Sequence, residues 1–190
     1  MDWEDCYQKN ECPWDKGSPS PGLVDFLEAE CGLVPGTVCV PGCGSGHDVR
    51  EWVRHKFHAT GFDISPTAVE LAKTKMAEAN VEADFQVADF LAETPSARFD
   101  WVFEHTFFCA IQPEQRDRYV ESVLRWLKPG GDYLAVYYLL QEDGGPPFPS
   151  DQDEIMERFT PKFNLKREWV PRSYPNRTNL ELMAWWTPKP

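Results

Sequence analysis

The chain has 190 residues, 42% hydrophobic and 26% charged, enough for one core in a single domain spanning 1–190. Its 19 Lys and Arg stand against 31 Asp and Glu, a formal charge of −12 that repels phosphate backbones and argues against a nucleic-acid partner. No run approaches the ~20 apolar residues that span a bilayer, and the acidic start Met1-Asp2-Trp3-Glu4-Asp5 lacks a signal peptide's basic-then-apolar order.

Residues 1–20 are polar, aromatic and proline-bearing, and read as an irregular arm. Ser20-Pro21 supplies an N-cap and an N1 proline for a helix carrying Leu23, Phe26 and Leu27 on one face. Thr37-Val38-Cys39-Val40 is the short apolar run of a buried parallel strand, and Val49, Trp52 and Val53 stripe the helix after it. A second strand, about His58 to Asp63, precedes another cap-plus-proline start at Ser65-Pro66. Val69, Ala72 and Met76 then recur at helical spacing. Strands three and four are expected at Asp84–Ala88 and Phe99–Phe103.

Pro113 opens a helix through Val120, Val123, Leu124 and Leu127 that Pro129-Gly130-Gly131 stops, and strand five follows at Tyr133–Leu140. Ser150 and Asp153 resemble a capping box before Ile155, Met156 and Phe159. Phe163–Val170 and Leu180–Trp186 read as two strands of a terminal antiparallel hairpin. Strand and helix otherwise alternate, the pattern of an α/β fold with a mostly parallel sheet.

Chemistry gathers at the carboxyl ends of the strands, where open α/β sheets bind ligands. The strand-to-helix turn Val40-Pro41-Gly42-Cys43-Gly44-Ser45-Gly46-His47-Asp48 lets the backbone bend sharply and approach a ligand. Asp63 ends strand two, where a carboxylate accepts from both ribose hydroxyls. Asp89-Phe90 after strand three suits an adenine amino group and an adenine face. Glu104-His105-Thr106-Phe107-Phe108 ends strand four. The loop is GxGxG rather than the GxGxxG of dinucleotide enzymes, so the set suits an adenosine ligand without a pyrophosphate. An NAD-dependent oxidoreductase ranks last. Cys6, Cys12, Cys31, Cys39, Cys43 and Cys109 form no CxxC pair, so no metal site is expected. Without a secretory signal, reduced thiols and a cytoplasmic location are expected.

The series VPGCGSGHD, GFDIS, ADF, FDWVFEHTFFCAI and LKPGG resembles the thiopurine methyltransferase superfamily. Within it, Trp3-Glu4-Asp5-Cys6-Tyr7, Pro13-Trp14-Asp15-Lys16-Gly17 and Gly144-Gly145-Pro146-Pro147-Phe148 are most similar to the plant-type halide and thiol methyltransferases. The resemblance implies a Rossmann-like class I fold, seven-stranded with an antiparallel last strand, and S-adenosylmethionine (SAM) as cofactor. It implies cofactor contacts from Trp14, Gly42, Gly44, Gly46, Asp63, Ile64, Asp89, Phe90 and Glu104. An N-terminal arm is expected to close over the site, with Trp3, Tyr7, Trp14, His105, Tyr138 and Phe148 around the acceptor.

The acceptor implied is a small molecule or small anion: a halide, bisulfide or small thiol. Other soft acceptors (thiopurine, selenium or tellurium compounds) and a non-catalytic SAM sensor stay open. A monomer is expected. Tyr7 stands where the plant proteins tend to have Trp, and His105 where they tend to have Tyr. His105 is then either a base that deprotonates a thiol, with an ordinary pKa near ~6.5, or a plain contact to cofactor or backbone.

Overall fold

A computed structural model describes residues 1–190. The helices are α1 (Trp3–Gln8), α2 (Pro21–Ala29), α3 (His47–Arg54), α4 (Pro66–Glu78), α5 (Arg116–Trp126) and α6 (Gln152–Phe159). The strands are β1 (Thr37–Pro41), β2 (His58–Asp63), β3 (Asp84–Val87), β4 (Phe99–His105), β5 (Leu127–Tyr138), β6 (Phe163–Trp169) and β7 (Glu181–Pro188). They form one seven-stranded sheet in the order β3-β2-β1-β4-β5-β7-β6. All pairs are parallel except those of β7, which runs antiparallel to both β5 and β6. No helix is long and apolar enough to cross a membrane.

Period-two alternation sorts the strand residues onto two cores. Cys39, Val102, Tyr133, Ala135 and Tyr137 face the core built with α5 and α6, around Trp126, Phe159 and Trp186. Val38, Val40, Trp101, Phe103, Leu134 and Val136 face the other, against Leu23, Phe26, Trp52, Val69 and Met76 of α2, α3 and α4. Burying each large apolar side chain contributes about 1.5–3 kcal/mol, so helices on both faces clamp the central strands. Chain order reverses between β1 and β4. The carboxyl ends of those two strands therefore open the crevice where such sheets bind ligands.

Four local expectations are corrected. The arm is not wholly irregular, because Trp3–Gln8 is helical, with Asp2 accepting the Asp5 N–H at 3.1 Å as its cap. Helix α5 ends at Trp126, before the Pro-Gly-Gly run. Proline disfavours a helical residue before it, so Leu127–Gly131 already belong to β5. Strand β4 continues to His105. The cap of α6 is Asp151, whose carboxylate accepts the Glu154 N–H at 2.8 Å, while the Ser150 hydroxyl donates to the Tyr138 carbonyl. The caps at Ser20 and Ser65 stand as expected.

Candidate active site

Three glycines in left-handed conformations shape the turn after β1: Gly42 (φ +61), Gly44 (φ +51) and Gly46 (φ +80). A Cβ on Gly42 would lie 2.3 Å from the Phe107 ring, and one on Gly44 would lie 2.8 Å from the Tyr7 hydroxyl. The backbone is thus bare where the cavity passes. Asp63, buried at the tip of β2, accepts the Gly44 N–H at 2.9 Å and the Ser65 N–H at 3.0 Å through different oxygens. Burial raises its carboxyl above the usual carboxylate range while those N–H groups pull it back. Each oxygen keeps a lone pair for a further donor. Ile64 is 55% exposed beside it.

Beyond β3, Asp89 accepts the N–H groups of Leu91 and Ala92, fixing the turn that carries Phe90. Phe90 meets Phe107 edge-on at 5.9 Å and tilts against Trp126 at 5.0 Å.

Glu104 is a correction, since its side chain lies behind the cavity wall rather than in it. One carboxylate oxygen accepts the N–H groups of Phe107 at 2.6 Å and Phe108 at 3.1 Å. It thereby pins the turn in which Thr106 takes φ +61 and His105 and Phe107 reach the cavity. Gly46 also lies off the cavity, its missing Cβ leaving room for Phe85 and Ala72.

Burial pushes Glu104 up to about 7, against the pull of the two N–H groups. A carboxyl raised in the folded state binds more protons than its unfolded counterpart between about pH 4.5 and 7. Folding stability therefore falls across that window as pH rises. Urea unfolding of Glu104→Gln should show this slope removed, a change on the order of 3 kcal/mol between the two ends of the window. An unchanged slope would reject the assignment.

The arm lies over the crevice. Trp14 donates its indole N–H to the Tyr7 hydroxyl at 3.2 Å and meets the Trp3 ring edge-on at 5.2 Å. Two carboxylates fasten this aromatic roof. Glu4 accepts the Ser65 hydroxyl, the Thr67 hydroxyl and the Thr67 N–H at the start of α4, which hold its carboxyl down at about 2. Asp15 accepts the Ser45 hydroxyl at 2.6 Å and meets His47 Nε2 at 3.1 Å. Its hydrogen bond to His47 leads the causes that hold it well below the usual carboxylate range.

At the other end of the crevice, His105 Nδ1 lies 2.9 Å from an Asp48 oxygen. Its Nε2 is 3.9 Å from Glu181 and 3.5 Å from Arg177. Burial alone lowers the imidazole's pKa, but the charge and hydrogen bond of Asp48, then Glu181, outweigh it and push it up to about 9. These two carboxylates favour the charged ring, which weighs against a role for His105 as the base that deprotonates a thiol.

The Arg177 guanidinium lies 4.7 Å from the Tyr138 ring centre and donates to Glu181 at 3.3 Å. Tyr174 stacks on His105 at 6.0 Å, and Phe148 closes the wall. Sequence reasoning missed Tyr174 and Arg177. They sit between β6 and β7 in a stretch without periodicity, and proximity to His105 is their only signal.

One cavity of about 580 Å³ joins all of this, within the ~300–1,000 Å³ of small-molecule sites. Trp3, Tyr7, Trp14, Gly42, Gly44, Asp63, Ile64, Asp89, Phe90, His105, Tyr138 and Phe148 all line it. The bare glycine cradle beside a buried carboxylate fits an adenosyl group, and the aromatic roof fits a sulfonium.

A sequence profile of the family "Thiopurine S-methyltransferase (TPMT)" matches residues 1–174. "Probable thiol methyltransferase 2" of Arabidopsis thaliana is 35% identical over 163 residues, covering 84% of this chain and 71% of the relative. "Thiocyanate methyltransferase 1" of the same plant is 32% identical over 190 residues, covering 97% and 83%. The fold is shared with the glycopeptide N-methyltransferase MtfA, solved with S-adenosylhomocysteine (SAH). That likeness has a TM-score of 0.76 at 15% identity and covers 89% of this chain and 90% of the other. An S-adenosylmethionine-dependent methyltransferase from Clostridium acetobutylicum aligns with a TM-score of 0.72 at 13% identity, covering 96% and 98%. The chain belongs to the thiopurine S-methyltransferase family and is a SAM-dependent methyltransferase.

Proposed function

We propose that this enzyme methylates a small soft nucleophile that arrives already anionic: a halide, bisulfide, thiocyanate or small thiolate. The observation that carries the reading is His105. Its ring lies in the cavity between Asp48 and Glu181, which favour its charged form, and beside Arg177. The names of the plant relatives, thiol and thiocyanate methyltransferases, point to the same class of acceptor.

SAM, when bound, supplies an activated methyl group on a sulfonium sulfur and leaves as SAH. Asp63 and the Gly42–Gly44 backbone hold the adenosyl portion, with Asp89, Phe90 and Ile64 around the base. Trp3, Tyr7 and Trp14 exclude water and present aromatic faces to the sulfonium. Tyr138, Phe148 and Tyr174 wall the acceptor, which needs no general base because its lone pair is free. The protein's contribution is alignment and desolvation. The same reading gives a cytoplasmic monomer acting on a small molecule, without a nucleic-acid partner.

The test is a headspace assay with SAM against iodide, bisulfide, thiocyanate and several thiols. Methyl iodide, methanethiol or the corresponding thioether should appear in proportion to SAH. A cavity of about 580 Å³ also has room for a larger acceptor, so a thiopurine and a selenium compound belong in the panel. Methylation of those alone would move the assignment to them. Tight SAH binding with no product from any acceptor would leave a sensor.

A further inference from the structure

Asp48 sits in the first turn of α3, two residues past the glycine loop, and its carboxylate is turned inward with 15% of the side chain exposed. One oxygen accepts the backbone N–H of Ser20 at 2.7 Å, at the cap of α2. The other accepts the Nδ1–H of His105 at 2.9 Å. A single carboxylate thus joins the end of the arm, the helix behind the cofactor loop and the acceptor end of the cavity.

The other titratable and charged groups around His105 come from β7, from the stretch before it and from β4 itself. Glu181 belongs to β7 and lies 3.9 Å from Nε2. Arg177, between β6 and β7, lies 3.5 Å from Nε2 and donates to Glu181. Tyr174 stacks on the ring and spends its hydroxyl proton on the Ser18 carbonyl. Glu104, the neighbour on β4, is committed to the turn of Phe107 and Phe108.

Counting charges decides what the cluster does. With His105 protonated, two carboxylates (Asp48, Glu181) balance two cations (His105, Arg177). With His105 neutral, one negative charge is left over at the mouth an anionic acceptor must enter. Inside a partly dry cavity, that repulsion is weakly screened.

We propose that Asp48 is a positioning residue for methyl transfer: by accepting the Nδ1 proton it fixes the orientation and charge of His105, so that an anionic acceptor meets a balanced cluster. The inference rests on the reading of this end of the cavity as the acceptor site.

Asp48→Asn, His105→Gln and the double variant test it, with iodide as acceptor because iodide does not titrate. In histidine-labelled protein, NMR titration should find the His105 ring in Asp48→Asn losing its proton at least about one pH unit below the parent. The His105→Gln spectrum assigns the signal. The KM for iodide at pH 8 should rise about tenfold in His105→Gln, which leaves Asp48 and Glu181 against Arg177 alone, while the Kd for SAH stays within about twofold. Adding Asp48→Asn to His105→Gln removes the surplus negative charge and should recover most of that loss, since the carboxylate and the ring act as one balanced pair.

A parent-like titration would overturn the proposal. So would a double variant no better than His105→Gln, which would reduce Asp48 to docking Ser20. If the parent protein makes no methyl iodide, the acceptor reading fails for iodide. The titration then decides the coupling of Asp48 to His105 by itself.

Discussion

Replacing Asp63 with alanine should weaken SAH binding by about 10²–10⁴-fold, read by isothermal titration calorimetry. Two hydroxyls of a ribose donating to one ionised carboxylate are worth roughly 1.5–3 kcal/mol each, and every 1.4 kcal/mol is about tenfold in affinity. The same carboxylate holds the Gly44 and Ser65 N–H groups. Its loss therefore also loosens the glycine turn and the start of α4. Asp63→Asn separates the two contributions. The amide oxygen can still accept one backbone N–H, so the turn is partly kept while the charge is gone. That variant should fall between parent and alanine. A folded Asp63→Ala protein that binds SAH within about threefold of the parent would overturn the adenosyl site, and with it the roles assigned to the strand tips.

The strand tips were readable because parallel strands buried on both faces appear as short continuous apolar runs, and Val38-Cys39-Val40 and Trp101-Val102-Phe103 are such runs. The caps at Ser20 and Ser65 were readable because a hydroxyl followed by proline has few other uses. Glu104 misled because an acid at a strand end looks like one more ligand contact. Its alternation held the answer: Val102 and Glu104 share a parity and point into the buried core, while His105 takes the other face. Helix α1 gave no signal, since its Trp3 and Tyr7 pack on Trp14 of the arm rather than on the core. Arg177 and Asp48 were illegible as functional residues for a further reason. Their roles exist only once β7 is inserted beside β5 and brings Glu181 and the preceding loop to His105.

Gly42→Ala should remove SAH binding, by about 100-fold or more, for a reason distinct from backbone strain. A non-glycine residue at φ +61 costs roughly 1–2 kcal/mol wherever it occurs. At this position the new Cβ also meets Phe107 Cδ2 at 2.3 Å. Phe107 has little room to retreat, being stacked on Tyr119 at 5.4 Å, edge-on to Phe90 at 5.9 Å, and tied through its N–H to Glu104. The conflict is relieved by pushing the ring into the cavity or by unwinding the turn, and both spoil the adenosyl cradle. Gly130→Ala supplies the control. That glycine has φ +75 but nothing within 4 Å of a new Cβ, so it carries the strain without the clash. Both variants should lose a few degrees in Tm, about 2–4 °C per kcal/mol for a chain of this size. Only Gly42→Ala should lose SAH. If Gly42→Ala bound SAH as Gly130→Ala does, the close approach of backbone to cofactor would have to be placed elsewhere in the cavity.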